Sequence, residues 1–197
     1  MKVGGWAAIA YVLAGVVKFG VSLIVLGSLE ADISLTPVLA VELLQSLALG
    51  VVVAGLHDWF ESVDPRLART ALVVGLGAAG IGVIANSWEI VGASLPIEAV
   101  DVVVVLAQTL GGAWFLLAGT LVSRSDSVLQ RSGWLGQVGG LGLVLVAVGY
   151  VVNIVQPASS GLGGVVAFAP LLLIFGLVFL VRLGQFAASG SFAAGPI

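Results

Sequence analysis

Six apolar stretches follow one another along this chain with only short connections between them: Gly4 to Gly27, Pro37 to Leu56, Ala71 to Val91, Ile97 to Val122, Trp134 to Val155 and Gly163 to Leu183. Each is close to the roughly 20 residues a helix needs to cross a hydrocarbon core of about 30 Å. That pattern leaves few folds open, because in lipid every backbone donor and acceptor must find its partner within the chain, as a helix or a closed barrel allows. The runs are too long and too evenly apolar for barrel strands. The expectation is an all-α bundle of six transmembrane helices, one domain over residues 1–197, with Gly184 to Ile197 as a mobile tail of small residues. A soluble domain needs far more polar surface than a chain that is 60% hydrophobic and 9% charged.

The cationic residues orient the bundle. Lys2, Arg66, Arg69, Arg124, Arg131 and Arg182 fall at the N-terminus, the second and fourth connections and the end of the last span, which all lie on one side of a six-span topology. The opposite connections and span ends hold Glu30, Asp32, Glu89 and Glu98, and no Lys or Arg. Short cytoplasmic loops are enriched in Lys and Arg, so both termini are expected in the cytoplasm of a cell whose plasma membrane holds the chain. Lys18 and the length of the first span argue against a cleaved signal peptide. The net charge of −3 and the scatter of the basic residues give no nucleic-acid surface. With no cysteine in the chain, a disulfide framework, a thiolate metal site and a cysteine nucleophile are excluded together.

Lys18 stands near the middle of the first span. An ionisable side chain at that depth is costly without a partner and marks a candidate site. Tyr11, Gly15, Lys18 and Ser22 share one helical stripe. Span two brings Glu42, Ser46, Gly50 and His57 near one face, bordered by Gln45, and Glu42 lies about 7.5 Å below the outer end at ~1.5 Å per residue. A short turn joins the two spans, so Lys18 and Glu42 are expected to pair, the long lysine covering a depth difference of roughly 7 Å. The segment His57 to Arg66 reads as a polar loop with Trp59 and Phe60 at the headgroups and a solvated His57. Asp64-Pro65 reads as a helix start, with Asp as N-cap and Pro in the first turn.

Further along, Gly75, Gly77 and Gly80 formally match a dinucleotide-binding glycine pattern. That pattern needs a preceding strand; inside a membrane span it reads as close helix packing by small residues. The same span sets Gly75, Ala79, Gly82, Asn86 and Glu89 on one stripe. Span four carries Asp101, Gln108 and Gly112, with an apolar inner half around Trp114. Span five has Gly136 and Gly140 as a small-xxx-small pair and ends in Asn153, and Pro170 is expected to kink span six. Lys18, Glu42, Gln45, Asn86, Glu89, Asp101, Gln108 and Asn153 therefore form the candidate ligand-binding set: Lys18 near midplane, the others in the outer halves of their spans. The single histidine gives no metal set, and no cofactor is called for.

From Ser132 the chain reads Ser-Gly-Trp-Leu-Gly-Gln-Val-Gly-Gly and later Val148-Gly149-Tyr150. This resembles a domain-of-unknown-function family of small prokaryotic polytopic membrane proteins, whose late helices carry Ser-Gly-x-Leu-Pro-x-x-Leu-Gly and a distal Gly-Tyr. Ser132, Gly133, Leu135, Gly140, Gly149 and Tyr150 match. Gly136 replaces the family proline, and Gly139 the leucine before its glycine. The resemblance implies a bundle of this kind and no activity.

Three functions remain open on the residues alone. An outer-half polar cavity would bind or move a small or amphipathic ligand. Carboxylates acting as acid and base would make a membrane enzyme for a lipid-like substrate. A Lys–Glu pair that only sets helix register would suit a structural or partner-binding subunit, and self-association into a homo-oligomer stays open beside all three. The lipid bilayer is a partner in each.

Overall fold

The structure is a computed structural model that describes the backbone of residues 2–27, 36–91, 97–155 and 163–189, with side chains at 2–18, 38–91, 102–149, 151 and 173–189. Among these residues there are six α-helices and no strand: α1 Lys2–Gly27, α2 Thr36–Val63, α3 Pro65–Ile90, α4 Ile97–Arg124, α5 Gly133–Val155 and α6 Gly163–Ser189. A 3-10 turn at Gln130–Ser132 leads into α5. Four segments are long and apolar enough to cross a membrane: Val38–Val63, Pro65–Ile90, Val102–Arg124 and Gln130–Gly149. Their outward faces are apolar as well, with Leu44, Val73, Ile84 and Leu106 all exposed. A helix that is hydrophobic all round belongs in lipid, and this is the architecture of a helical membrane protein.

Each helix packs against the next in sequence, and α6 packs against α1, so the bundle closes into a ring. Glycines set the crossings, since without a hydrophobic drive between helices in lipid, close backbone approach supplies the dispersion contacts. Gly4 of α1 lies on Gly55 of α2, Gly112 of α4 lies on Gly140 of α5, and Gly139 of α5 lies on Gly176 of α6. Gly5 faces Gly184 and Ala188 at the closure of the ring. At the Gly4–Gly55 and Gly5–Gly184 crossings the start of α1 meets the late parts of α2 and α6, so α1 runs antiparallel to both.

One end of the ring collects Lys2, Arg66, Arg69, Arg124, Arg131 and Arg182. We call it the basic end. There Arg124 Nη1 donates to Asp64 Oδ2 at 3.0 Å, Arg69 Nη2 to Glu61 Oε1 at 3.4 Å, and Arg182 Nη1 to the Ser132 hydroxyl at 3.0 Å. The half of the bundle next to this end holds the largest buried side chains. Trp114, Phe60, Phe179, Leu56 and Leu180 are fully buried, and Phe115 stacks at a tilt on Phe179 with ring centroids 6.3 Å apart.

Three expectations need correction. The helix α2 does not stop at Leu56: the supposed polar loop is helical through Val63, because Trp59 and Phe60 turn into the bundle and pack on each other, Trp59 also meeting Phe186, instead of resting at the headgroups. His57 is half-buried rather than solvated, and its Nδ1 lacks a hydrogen-bond partner among the described residues. The tail does not begin at Gly184 either; α6 continues to Ser189, since small residues at 184, 187 and 188 let α1 approach. The helix break falls at Asp64, whose Oδ1 accepts from the backbone N–H groups of Arg66 and Leu67, both at 3.1 Å, with Pro65 in the first turn. This is the N-cap read from Asp64-Pro65, and it satisfies two of the orphan donors of α3.

The glycines of α3 are packing residues in part only. A Cβ on Gly75 would lie 2.5 Å from Trp114 and 2.6 Å from Val53, whereas one on Gly80 would meet nothing within 4 Å. The family-like stretch also serves packing. A Cβ on Gly140 would run into the Gly112 carbonyl at 2.6 Å, one on Gly133 into Ser123 and Gly119, and Leu135 is buried. The side chains of Tyr150 and Pro170 lie outside the described residues.

Candidate functional site

The Gly4–Gly55 crossing places the central charges. From it, fourteen residues along α1 reach Lys18, and thirteen back along α2 reach Glu42. At ~1.5 Å per residue the two arrive at nearly the same depth. Lys18 Nζ lies 2.5 Å from Glu42 Oε1. The depth difference of roughly 7 Å expected from the apolar runs is absent, because α2 extends a further two turns at its basic end and slides its register accordingly. Gly15 leaves room beside them: a Cβ there would sit 2.9 Å from Gln45 Nε2, which instead donates to the Tyr11 carbonyl at 3.4 Å.

Behind the pair the ring is hollow. A cavity of about 240 Å³, partly open, lies in the half away from the basic end. Its lining comes from five helices: Tyr11 and Lys18 of α1; Glu42, Gln45, Ser46 and Leu49 of α2; Ala78, Gly82, Ala85 and Asn86 of α3; Val103, Val104, Ala107, Gln108, Gly111 and Phe115 of α4; and Leu143 of α5. The hollow has a local cause. Ala78, Gly82, Ala85, Ala107 and Gly111 are too small to fill the space between α2, α3 and α4. Gly82 also admits the Ser46 side chain, whose hydroxyl donates to the Glu42 carbonyl at 2.9 Å.

Lys18, Glu42 and Asn86 stand toward the outer part of the cavity beside Val103 and Val104, Gln108 lies midway, and Leu49, Phe115 and Leu143 form its floor beside Tyr11. Asn86 lines the cavity and is only 9% exposed as a residue. Gln108 Oε1 is buried and has no hydrogen-bond partner among the described residues. Buried polar groups are nearly always bonded to protein or to something else, so the Gln108 acceptor is open binding capacity, with the Asn86 amide on the adjacent helix lining the same cavity. The ion pair is less enclosed, its side chains being 39% and 30% exposed.

Of the eight residues singled out in the sequence, Lys18, Glu42, Gln45, Asn86 and Gln108 line this cavity, while Glu89 stands about one turn beyond Asn86 and does not. The side chains of Asp101 and Asn153, and of Ser22, lie outside the described residues. Tyr11 and Ser46 belong to the cavity although the candidate set omitted them. Their place on the stripes of Lys18 and Glu42 was the signal. Phe115 and Leu143 carried none, being apolar residues among apolar residues.

Glu42 is the one carboxylate among the described lining residues, and Lys18 engages it. The arrangement is thus a neutral charge pair with two carboxamides above an apolar floor, suited to holding a molecule. Comparison with protein-family models, curated proteins and solved structures finds no match to this chain.

Proposed function

We propose that the protein is a six-span plasma-membrane protein, both termini cytoplasmic, that binds a small amphipathic ligand in the outer half of its bundle and either stores or carries it. The observation that carries this reading is the cavity lined by polar and apolar residues together, with the buried Gln108 acceptor unpartnered among the described residues and the Asn86 amide on the adjacent helix. Hydrocarbon packing alone would favour Leu or Gly at such positions, since polar groups inside a membrane protein are costly unless used. The segregation of every cationic residue other than Lys18 to one end supports cytoplasmic termini. Membership of the prokaryotic family resembled around Ser132 belongs to this proposal too, supported by the packing duty of Gly133 and Gly140.

Filling the cavity tests the binding reading. A Cβ on Gly111 would have Leu143 Cδ1 at 3.9 Å as its nearest neighbour, so Gly111→Leu projects into free space. Removing a helix-interior glycine also favours folding, by about 0.5 to 1 kcal/mol. The variant is expected to melt no lower than the wild type and to lose whatever small molecule co-purifies in native lipid, as read by mass spectrometry. An unchanged co-purifying molecule would refute the assignment to this cavity.

Topology has its own check. A cysteine at Val91 is expected to react with an impermeant thiol reagent applied outside intact cells, and a cysteine at Ser127 only after permeabilisation. The reverse labelling would overturn the orientation.

A further inference from the structure

Resting on the cavity reading above, we infer that the ligand is an uncharged amphiphile whose head is an amide or hydroxyl and whose apolar part is about six carbons long, lying with its tail toward Phe115 and Leu143.

The first argument is electrostatic. The Lys18 ammonium and the Glu42 carboxylate are 2.5 Å apart and cancel each other. No third charged side chain lines the cavity among the described residues. A ligand with net charge would give up hydration in the enclosed part of the cavity with no free counter-charge among the described lining residues, and burying an unpaired charge is costly. Claiming either partner of the pair would strand the other.

The second argument is hydrogen bonding. Asn86 and Gln108 each offer a carbonyl and an NH2 group. Whichever way each amide is turned, the pair presents donors and acceptors together. A head group that both donates and accepts satisfies such a set: a primary amide or a hydroxyl does, whereas a carboxylate only accepts and an ammonium only donates. A purely apolar molecule would leave the Gln108 acceptor bare, at a cost comparable to a lost hydrogen bond.

Size and lining complete the case. The volume of about 240 Å³ equals about eight waters at roughly 30 Å³ each, enough for a head group with about six carbons. The floor of Leu49, Phe115 and Leu143 lies on the basic-end side of Asn86, so the tail points into the bundle.

The test uses four probes that share one chain and differ in head: hexanamide, 1-hexanol, hexanoate and hexylamine. Each is titrated at pH 7 against the full protein in nanodiscs, with empty nanodiscs subtracted, and binding is read by equilibrium dialysis. Hexanamide and 1-hexanol are expected to bind saturably, with hexanoate and hexylamine at least tenfold weaker. Gly111→Leu, with Ala107→Leu as a second filler, is expected to abolish binding. Asn86→Leu should weaken hexanamide about tenfold while leaving the melting temperature near that of the wild type. Charged probes binding as well as the neutral ones, still blocked by the fillers, would overturn the neutral-head assignment and leave the cavity reading standing. Probes binding no better to wild type than to the filled variants would overturn both and identify a cavity that holds water only.

Discussion

A leucine at position 139 is expected to separate α5 from α6 and to lower the stability of the protein by on the order of 3 kcal/mol or more. Gly139 sits against the Gly176 backbone: a Cβ there would overlap Gly176 Cα and lie 2.5 Å from Gly176 N. Backbone cannot rotate aside as a side chain can, so the helices must part. Parting them undoes the packing of Phe179 against Gly136 and of Phe175 against Trp134, and in lipid such contacts supply much of helix association. Gly80→Leu is the matched control. Nothing lies within 4 Å of its added Cβ, and its melting temperature is expected to equal or slightly exceed the wild-type value. Equilibrium unfolding in mixed micelles reads both. Equal stability of the two variants would mean that the α5–α6 crossing is not as close as described.

Lys18→Met is expected to destabilise by about 2 kcal/mol, between the 3 to 5 typical of stranding one partner of a fully buried pair and the 0 to 1 of a surface pair. The intermediate value follows from the partial exposure of both side chains to the cavity, 39% for Lys18 and 30% for Glu42. Glu42→Gln should cost a similar amount, and the double variant should recover much of the combined loss, because a neutral Met–Gln pair strands no charge. The interaction energy in a double-mutant cycle is the quantity to measure. Simple additivity would dissolve the pair as an energetic unit and reduce it to proximity.

How far the sequence was legible can be judged at single residues. Asp64-Pro65 marked a helix start, and the N-cap geometry at Asp64 is local chemistry that needs no tertiary partner. The end of the preceding helix was not legible. Trp59 and Phe60 look interfacial in sequence, and only the arrival of Phe186 from the far end of the chain makes the bundle interior their better environment. The same neighbour relation, through Gly5 and Gly184, keeps α6 helical to Ser189.

The candidate site divides along the same line. Amide and charged residues at helical spacing identified Lys18, Glu42, Gln45, Asn86 and Gln108, since polar side chains stand out against an apolar background. Their depths did not follow from the apolar runs, because hydropathy locates a span but not its slide against a neighbour. The Gly4–Gly55 contact sets that slide and brings Lys18 level with Glu42.

The sequence by itself determined that the chain is helical and apolar all round, because helix formation in lipid satisfies each backbone group within its own segment. Only the tertiary structure decided that large side chains pack together toward the basic end while a cavity opens in the other half. Whether small residues close a gap or leave one depends on what faces them. Gly112 and Gly140 face each other and draw their helices together; Gly111, one residue away on α4, lines the cavity.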